Sequence, residues 1–420
     1  MTKIEKQSNT FIKPIIPTPP THHHYKLGSL DELAPFWNVS VVLFFSQVND
    51  QDQKFVVGLE TSLEKTLTLL YPLAGRYVDE TQIIDCNDEG VEFIHAKVNI
   101  KLQEILGSEM DPKLVDEFIS FNTLAAHKLT SPLLSIQVTK FECGGVAIGV
   151  NATHKIVDAS TLCTFLNVWA VINRENNEIE FSGPGFNSSS LFPARGIRRR
   201  TQPTISDDML RKCTRKKYLF SESDISNIRA NTTIASLSKV QLVMAILSKA
   251  FIDVDRAINK YSRECIIVHP MNIREKMASL IPSNSCGNLV AFCATKTDIY
   301  ETTIELADVI SESFKKSVNN LSKVHHDTEE GKCMVLDSMC QKVPESTHMI
   351  GISSWCKFPF YEVNFGFGKP IWAAPGTIPQ KNSANLMDDA RGNGIEAHVF
   401  LEVNYIPIFE ESLKANVYRV

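Results

Sequence analysis

The stretch from residue 134 to residue 169 constrains the fold more than any other part of the chain. Leu134, Ile136 and Val138 alternate with polar residues, the two-residue period of a half-buried strand. Cys143-Gly144-Gly145 supplies a turn, because glycine takes a positive φ without steric cost. Residues 146–150 then run back as a second strand and deliver the chain into Thr153-His154-Lys155-Ile156-Val157-Asp158. Leu162, Phe165, Leu166 and Trp169 follow on one helical face. A hairpin that feeds an amphipathic helix through a short polar loop predicts a sheet with a helix laid against it.

The rest of the chain repeats that style. Residues 39–45, β-branched and aromatic, read as a buried strand. Leu59, Leu63, Leu67 and Leu70 recur at helical spacing, and Pro72 stops the helix. Further strands are predicted at 264–269, 289–295, 371–374 and 396–403, and a helix opens at Ser238 with Gln241 three residues on, as in a capping box. The fold class is therefore α/β. Between residues 174 and 216 periodicity fades into Gly, Pro, Ser, Asn and Arg. With 420 residues, that break predicts an N-terminal domain over 1–190, a linker over 191–216 and a C-terminal domain over 217–420.

Composition removes several function classes. The net charge of −5 argues against nucleic acid, which favours a broad basic face, and the one basic cluster, Arg195 to Arg200, sits in a polar stretch that reads as a solvated linker. The ten cysteines are scattered with no C-x-x-C pair, which fits free thiols in a reducing compartment. The first twenty residues lack the apolar core of a secretory signal, and no apolar run is long enough to span a bilayer. A cytoplasmic protein without a membrane partner is expected. His22-His23-His24 follow the prolines of an extended arm, Pro14, Pro17, Pro19 and Pro20. Consecutive side chains diverge on any regular backbone, so no metal site is assigned to them.

There is no G-x-S-x-G elbow, P-loop, H-E-x-x-H or G-x-G-x-x-G. His154 with Asp158, H-x-x-x-D, stands instead between a strand end and a helix start, where a scaffold fixes exposed groups. Histidine is the natural general base near neutral pH. Asp158 either orients its ring or caps the following helix. A second feature is Asn364-Phe365-Gly366-Phe367-Gly368-Lys369-Pro370. Its glycines suit either a tightly packed turn over aromatic rings or a nest of N–H groups around a phosphate.

In order and separation, these two motifs resemble those of the plant BAHD acyltransferases, H-x-x-x-D near mid-chain and D-F-G-W-G near the C-terminus. Residues 71–76, Asp85-Cys86-Asn87-Asp88, Asn272-Ile273-Arg274, Gly287-Asn288 and Ser354-Trp355-Cys356 extend the resemblance over nearly the whole chain. HKIVDASTL and MNIREKMASLIP are most similar to the vinorine-synthase-like branch. The resemblance implies two similar chloramphenicol-acetyltransferase-like domains with a solvent channel between them. It also implies a monomer with no permanent cofactor. The reaction would move an acyl group, at branch level acetyl, from acyl-coenzyme A to a hydroxyl of a specialised metabolite such as an alkaloid or terpenoid. An amine acceptor, or a catalytically silent homologue that binds a metabolite, is the alternative.

By the same resemblance His154 is the catalytic base. Asp158, Arg274, Asn364, Gly366 and Gly368 support the site, the aspartate through an arginine and the glycine motif away from the histidine. Ser236, Ser238 and Lys239 mark the coenzyme A segment, where a helix N-terminus with hydroxyls suits a phosphate and equally suits a plain cap. The chain departs from the family pattern twice. Asn364 replaces the aspartate that pairs with the arginine matching Arg274, an expected loss of about 1 kcal/mol, with Glu362 on the same side of the alternation as a compensating carboxylate. Phe367 replaces tryptophan and loses the indole N–H.

Overall fold

The structure is a computed structural model describing residues 4–46, 54–106, 112–120, 131–175, 185–197, 212–230, 237–261, 263–277, 281–297, 302–323, 329–340, 343–344, 346–378 and 380–417. Contacts divide the chain into two compact units. Met1–Pro203, Pro282–Leu289 and Phe358–Pro379 form the first, and Thr204–Ile281, Val290–Lys357 and Gln380–Val420 form the second.

The first unit is built on a six-stranded sheet ordered Ile4–Ile12, Val91–Val98, Leu134–Phe141, Val146–Thr153, Asn38–Phe45 and Trp372–Pro375. Only Val91–Val98 and Leu134–Phe141 pair in parallel; the predicted hairpin forms, with Gly144 at φ 83° in its turn. Val41 to Phe45 are fully buried on both faces, so that strand reads as an unbroken apolar run. On one face Phe44 stacks on Trp372 at 5.0 Å and meets Phe118 edge-on at 5.5 Å. The helix Lys54–Leu69 packs on Ala159–Glu175, which reaches the strand Asn38–Phe45. Trp169, with no exposed surface, donates its indole N–H to Leu59 O at 3.1 Å and Ser62 Oγ at 3.0 Å. Those bonds satisfy the one polar atom of a large buried ring.

The second unit carries its own six-stranded sheet, ordered Val290–Thr297, Cys265–Asn272, His348–Ser354, Ser383–Asp388, Ile395–Glu402 and Cys213–Phe220. The helix Lys239–Asn259 buries Leu242, Val243, Leu247 and Phe251 in one core with Ile267, Ile350, Leu386 and Val399. The helix Ile406–Val417 adds Phe409, whose ring lies 4.9 Å from Phe251.

A contiguous division places residues 282–289 and 358–379 in the C-terminal domain, whereas the contacts place both in the first unit. The cause is visible at Trp372–Pro375. It reads locally as any short strand, but its Trp372 and Ala374 complete the aromatic cluster beneath Phe44, and it pairs antiparallel with Asn38–Phe45. Among the described residues no helix is long and apolar enough to cross a membrane. The three adjacent histidines diverge: His22 stacks on Tyr71, His23 meets Thr18 O at 3.1 Å, and His24 lies 4.0 Å from Asp85.

Candidate active site

His154 is the first residue past a strand held on both sides. Val146–Thr153 pairs with Leu134–Phe141 and with Asn38–Phe45, and the His154 N–H continues the ladder by donating to Trp37 O at 3.2 Å. The backbone therefore cannot shift without breaking two ladders. The imidazole is half-buried. Its Nδ1 lies 3.0 Å from Asn288 Oδ1, and its own carbonyl accepts from Asn288 Nδ2 at 2.8 Å. The second Nδ2 hydrogen goes to Asp31 Oδ1 at 2.9 Å. A carboxylate and a carbonyl only accept, which fixes the amide orientation and makes Nδ1 the protonated ring nitrogen. Nε2 keeps its lone pair and has no hydrogen-bond partner among the described residues.

Burial holds the His154 pKa below the ordinary histidine value, and buried Lys155 beside it pushes the same way; the Asp158 charge and the Asn288 bond oppose them. Lys155 is itself held by Ala34 O at 3.2 Å and sits 3.9 Å above the Phe36 ring. A neutral imidazole with a fixed tautomer is the form that accepts a proton at Nε2.

Asp158 caps the helix. Its Oδ1 accepts from Thr161 N–H at 2.8 Å and its Oδ2 from Leu289 N–H at 3.2 Å. Thr161 Oγ1 donates to Gly287 O and accepts from Gly287 N–H, both at 3.1 Å. The cap thus holds the segment Pro282–Leu289 against the helix start and presents Asn288 to His154. Of the sequence's two readings for Asp158, the geometry matches the capping one.

Asn288 is the partner of the His154 ring that sequence reasoning missed. Gly287-Asn288 was legible as a matching segment, but nothing local tied it to a histidine far upstream. The glycine itself was the available signal, and the structure shows why it is needed: its φ is +115°, and a Cβ there would lie 2.5 Å from Ser188 Oγ.

The glycine motif is a packed turn. Gly366 and Gly368 have φ of 104° and 105°, conformations that glycine takes freely. Phe365 meets Trp169 edge-on at 4.8 Å, and Phe367 meets Phe45 and Phe55, each at 5.0 Å. Asn173 donates to Phe365 O at 2.6 Å. Asn364 Oδ1 accepts from Gly366 N–H at 2.8 Å and Gly368 N–H at 3.3 Å, so its hydrogen bonds close its own turn. Glu362 forms an exposed ion pair with Lys369. Asparagine serves this turn as an aspartate would. Asn364→Asp is therefore expected to change unfolding free energy by about 0.5 kcal/mol or less and to leave turnover close to the parent value, as denaturant titration and initial rates would show.

Arg274 is buried in the second unit, and its Nη1 donates to Asn272 Oδ1 at 3.1 Å. Ser236 lies outside the described residues. Ser238 forms the expected capping box, accepting from Gln241 N–H at 3.2 Å while its own N–H donates to Gln241 Oε1 at 2.9 Å. Lys239 Nζ pairs with Asp388 at 2.7 Å and donates to Gly392 O at 2.8 Å and Gly394 O at 3.4 Å. The cap and the lysine both have occupations within the protein.

The chain thus holds a neutral imidazole with a fixed tautomer at a strand end, on two α/β units. A family model described as the Transferase family matches residues 2–416. The chain is 31% identical to vinorine synthase of Rauvolfia serpentina, over 98% of this chain and 95% of that one. The crystal structure of vinorine synthase superposes with a TM-score of 0.83, covering 97% of this chain and 96% of that one. A pelargonidin glucoside 4'''-malonyltransferase of Salvia splendens is 29% identical over 98% of this chain and 99% of its own. Stemmadenine O-acetyltransferase of Catharanthus roseus is 29% identical over 93% and 92%. The chain belongs to this transferase family, the acyl-CoA-dependent BAHD acyltransferases. It is thereby an acyltransferase of two chloramphenicol-acetyltransferase-like units.

Proposed function

We propose that the protein transfers an acetyl group from acetyl-coenzyme A to a hydroxyl of a plant specialised metabolite, an alkaloid or terpenoid alcohol, with His154 as the base. The observation that carries this reading is an imidazole whose Nδ1 is held by Asn288 and whose Nε2 has no hydrogen-bond partner among the described residues. Nε2 takes the hydroxyl proton as the oxygen attacks the thioester carbonyl. The tetrahedral intermediate collapses with C–S cleavage, and the coenzyme A thiolate leaves with the proton from Nε2. Holding both substrates at one base supplies the proximity that would otherwise need an acyl-enzyme. Hydroxyl as acceptor and acetyl as donor are supported by the O-acetyltransferase relative, and the alkaloid class by the branch likeness.

Calorimetry with coenzyme A and acetyl-coenzyme A, followed by thiol release across a panel of alcohols, tests the reading. Saturable binding and acetyl-dependent release are expected. Binding without release on any acceptor would favour a silent homologue. A higher kcat/KM with malonyl-coenzyme A would replace the donor with the one named for the Salvia relative.

For the coenzyme tail we propose Ser236, Ser238 and Lys239. Lys239→Ala is expected to raise KM for acetyl-coenzyme A about tenfold, one charge-assisted hydrogen bond's worth, with kcat unchanged. A loss of stability at constant KM would assign Lys239 to Asp388 alone. We further propose a cytoplasmic monomer, checked by sedimentation and by localisation of the tagged full chain.

A further inference from the structure

Asp31 belongs to neither sequence motif, yet its carboxylate is fully buried next to Asn288, the His154 ring's hydrogen-bond partner among the described residues. Oδ1 accepts from Asn288 N–H and Asn288 Nδ2, both at 2.9 Å. Oδ2 accepts from Gly28 N–H at 3.0 Å and Ser188 Oγ at 2.6 Å. Tyr25 Oη lies 2.8 Å from Ser188 Oγ. Since the Ser188 hydrogen goes to Asp31, Tyr25 donates to Ser188. Every proton in the cluster points toward Asp31, which suits an ionised, acceptor-only carboxylate. Burial pushes the Asp31 pKa above the ordinary carboxylate value, and the hydrogen bonds from Ser188, Asn288 and Gly28 oppose that shift by favouring the charged form; among the described residues its hydrogen-bond partners include no cation.

We propose that Asp31 is the positioning carboxylate of this active site, acting on His154 through Asn288. The proposal rests on His154 being the base. A negative charge on the far side of the Asn288 amide draws its N–H hydrogens outward and concentrates electron density on Oδ1. That favours the Nδ1–H tautomer and stabilises the imidazolium formed when Nε2 takes a proton. Asp158, close in sequence to the base, spends its oxygens on Thr161 and Leu289 N–H groups. The orienting role usually filled by a carboxylate bonded directly to the imidazole is here relayed through an amide.

Asp31→Asn keeps the shape and removes the charge. It is expected to lower kcat by about 10- to 100-fold, the usual cost of losing an outer partner of a functional histidine, with KM for both substrates near the parent value. In an Asn288→Ala background the same substitution should add almost nothing. An equal fall in both backgrounds would overturn the relay and leave Asp31 as an anchor of the fold.

A readout independent of turnover is the NMR titration of the His154 ring, whose pKa should fall in Asp31→Asn. The other titratable groups facing the ring and the cluster, Asp158, Lys155, Tyr25 and Cys286, remain in place. An unmoved titration would also overturn the proposal. If His154→Ala retained turnover while the titration still moved, the base assignment would fail and the Asp31 coupling would stand. Should Asp31→Asn not fold, Ser188→Ala removes one bond that stabilises the carboxylate and so raises its pKa. The acid loss of activity should then move toward neutral pH, and a profile superimposable on the parent would refute the relay.

Discussion

Replacing His154 with alanine is expected to lower kcat by about 10²- to 10⁴-fold, the contribution of a positioned general base, while the circular dichroism spectrum and unfolding midpoint stay near the parent values. The side chain is half-buried and, among the described residues, bonds only through Nδ1, so its removal strands one acceptor on Asn288, whose other three bonds persist. Undiminished thiol release would remove His154 from the mechanism. The pH profile gives a second check on the same residue. A base must be neutral, and burial holds this imidazole's pKa below the ordinary value of about 6.5. Activity should therefore be complete at neutral pH and fall only as pH drops through that lowered pKa. An acid limb centred above 6.5 would contradict the burial argument.

Gly287→Ala should act on both stability and rate. A methyl group there lies 2.5 Å from Ser188 Oγ and 2.6 Å from Ser188 Cβ, and φ of +115° is strained for any other residue. The hydroxyl could rotate away, but the Cβ is fixed in place by the backbone of the short helix Ser188–Leu191 and cannot. Strain and overpacking together should cost about 2–4 kcal/mol of unfolding free energy. The displaced neighbour is Asn288. A shift of about 1 Å in a group that orients the base can cost about 10²-fold in rate. Chemical denaturation and initial-rate kinetics on the same preparation would separate the two effects. A variant with parent stability and turnover would show that the loop relaxes freely.

The elements that could be read from sequence are those whose pattern is local. Residues 134–150 alternate because one strand face meets the core, and the observed strands Leu134–Phe141 and Val146–Thr153 follow that pattern. Ser238 and Gln241 cap a helix because both partners lie within one turn, and the box forms as expected. His154 was legible because a strand, a polar loop and a helix follow in immediate succession. Asn288, Asp31 and Ser188 were not, since each acts on a residue far away in sequence and no periodicity records a tertiary hydrogen bond. The same limit explains Trp372–Pro375. Its composition announces a strand, and only packing beneath Phe44 decides which sheet receives it. Asn364 looked like a lost ionic partner because the motif was compared letter by letter, whereas its carbonyl oxygen closes the turn of Gly366 and Gly368.

The first unit borrows two late segments, and this bears on how the protein is made. A ribosome releases His154 and its strand long before Pro282–Leu289 and Phe358–Pro379 emerge. Until then the indole of Trp169 lacks its Phe365 neighbour, the strand Asn38–Phe45 keeps an open edge, and the imidazole has no Asn288 to fix its tautomer. Contacts of such sequence separation close slowly and leave apolar surface exposed meanwhile. A nascent chain cut short before residue 282 therefore carries His154, the proposed base, without the amide that sets its tautomer. On the proposed mechanism, competence for proton transfer arrives near the end of synthesis, and truncated products are expected to be silent.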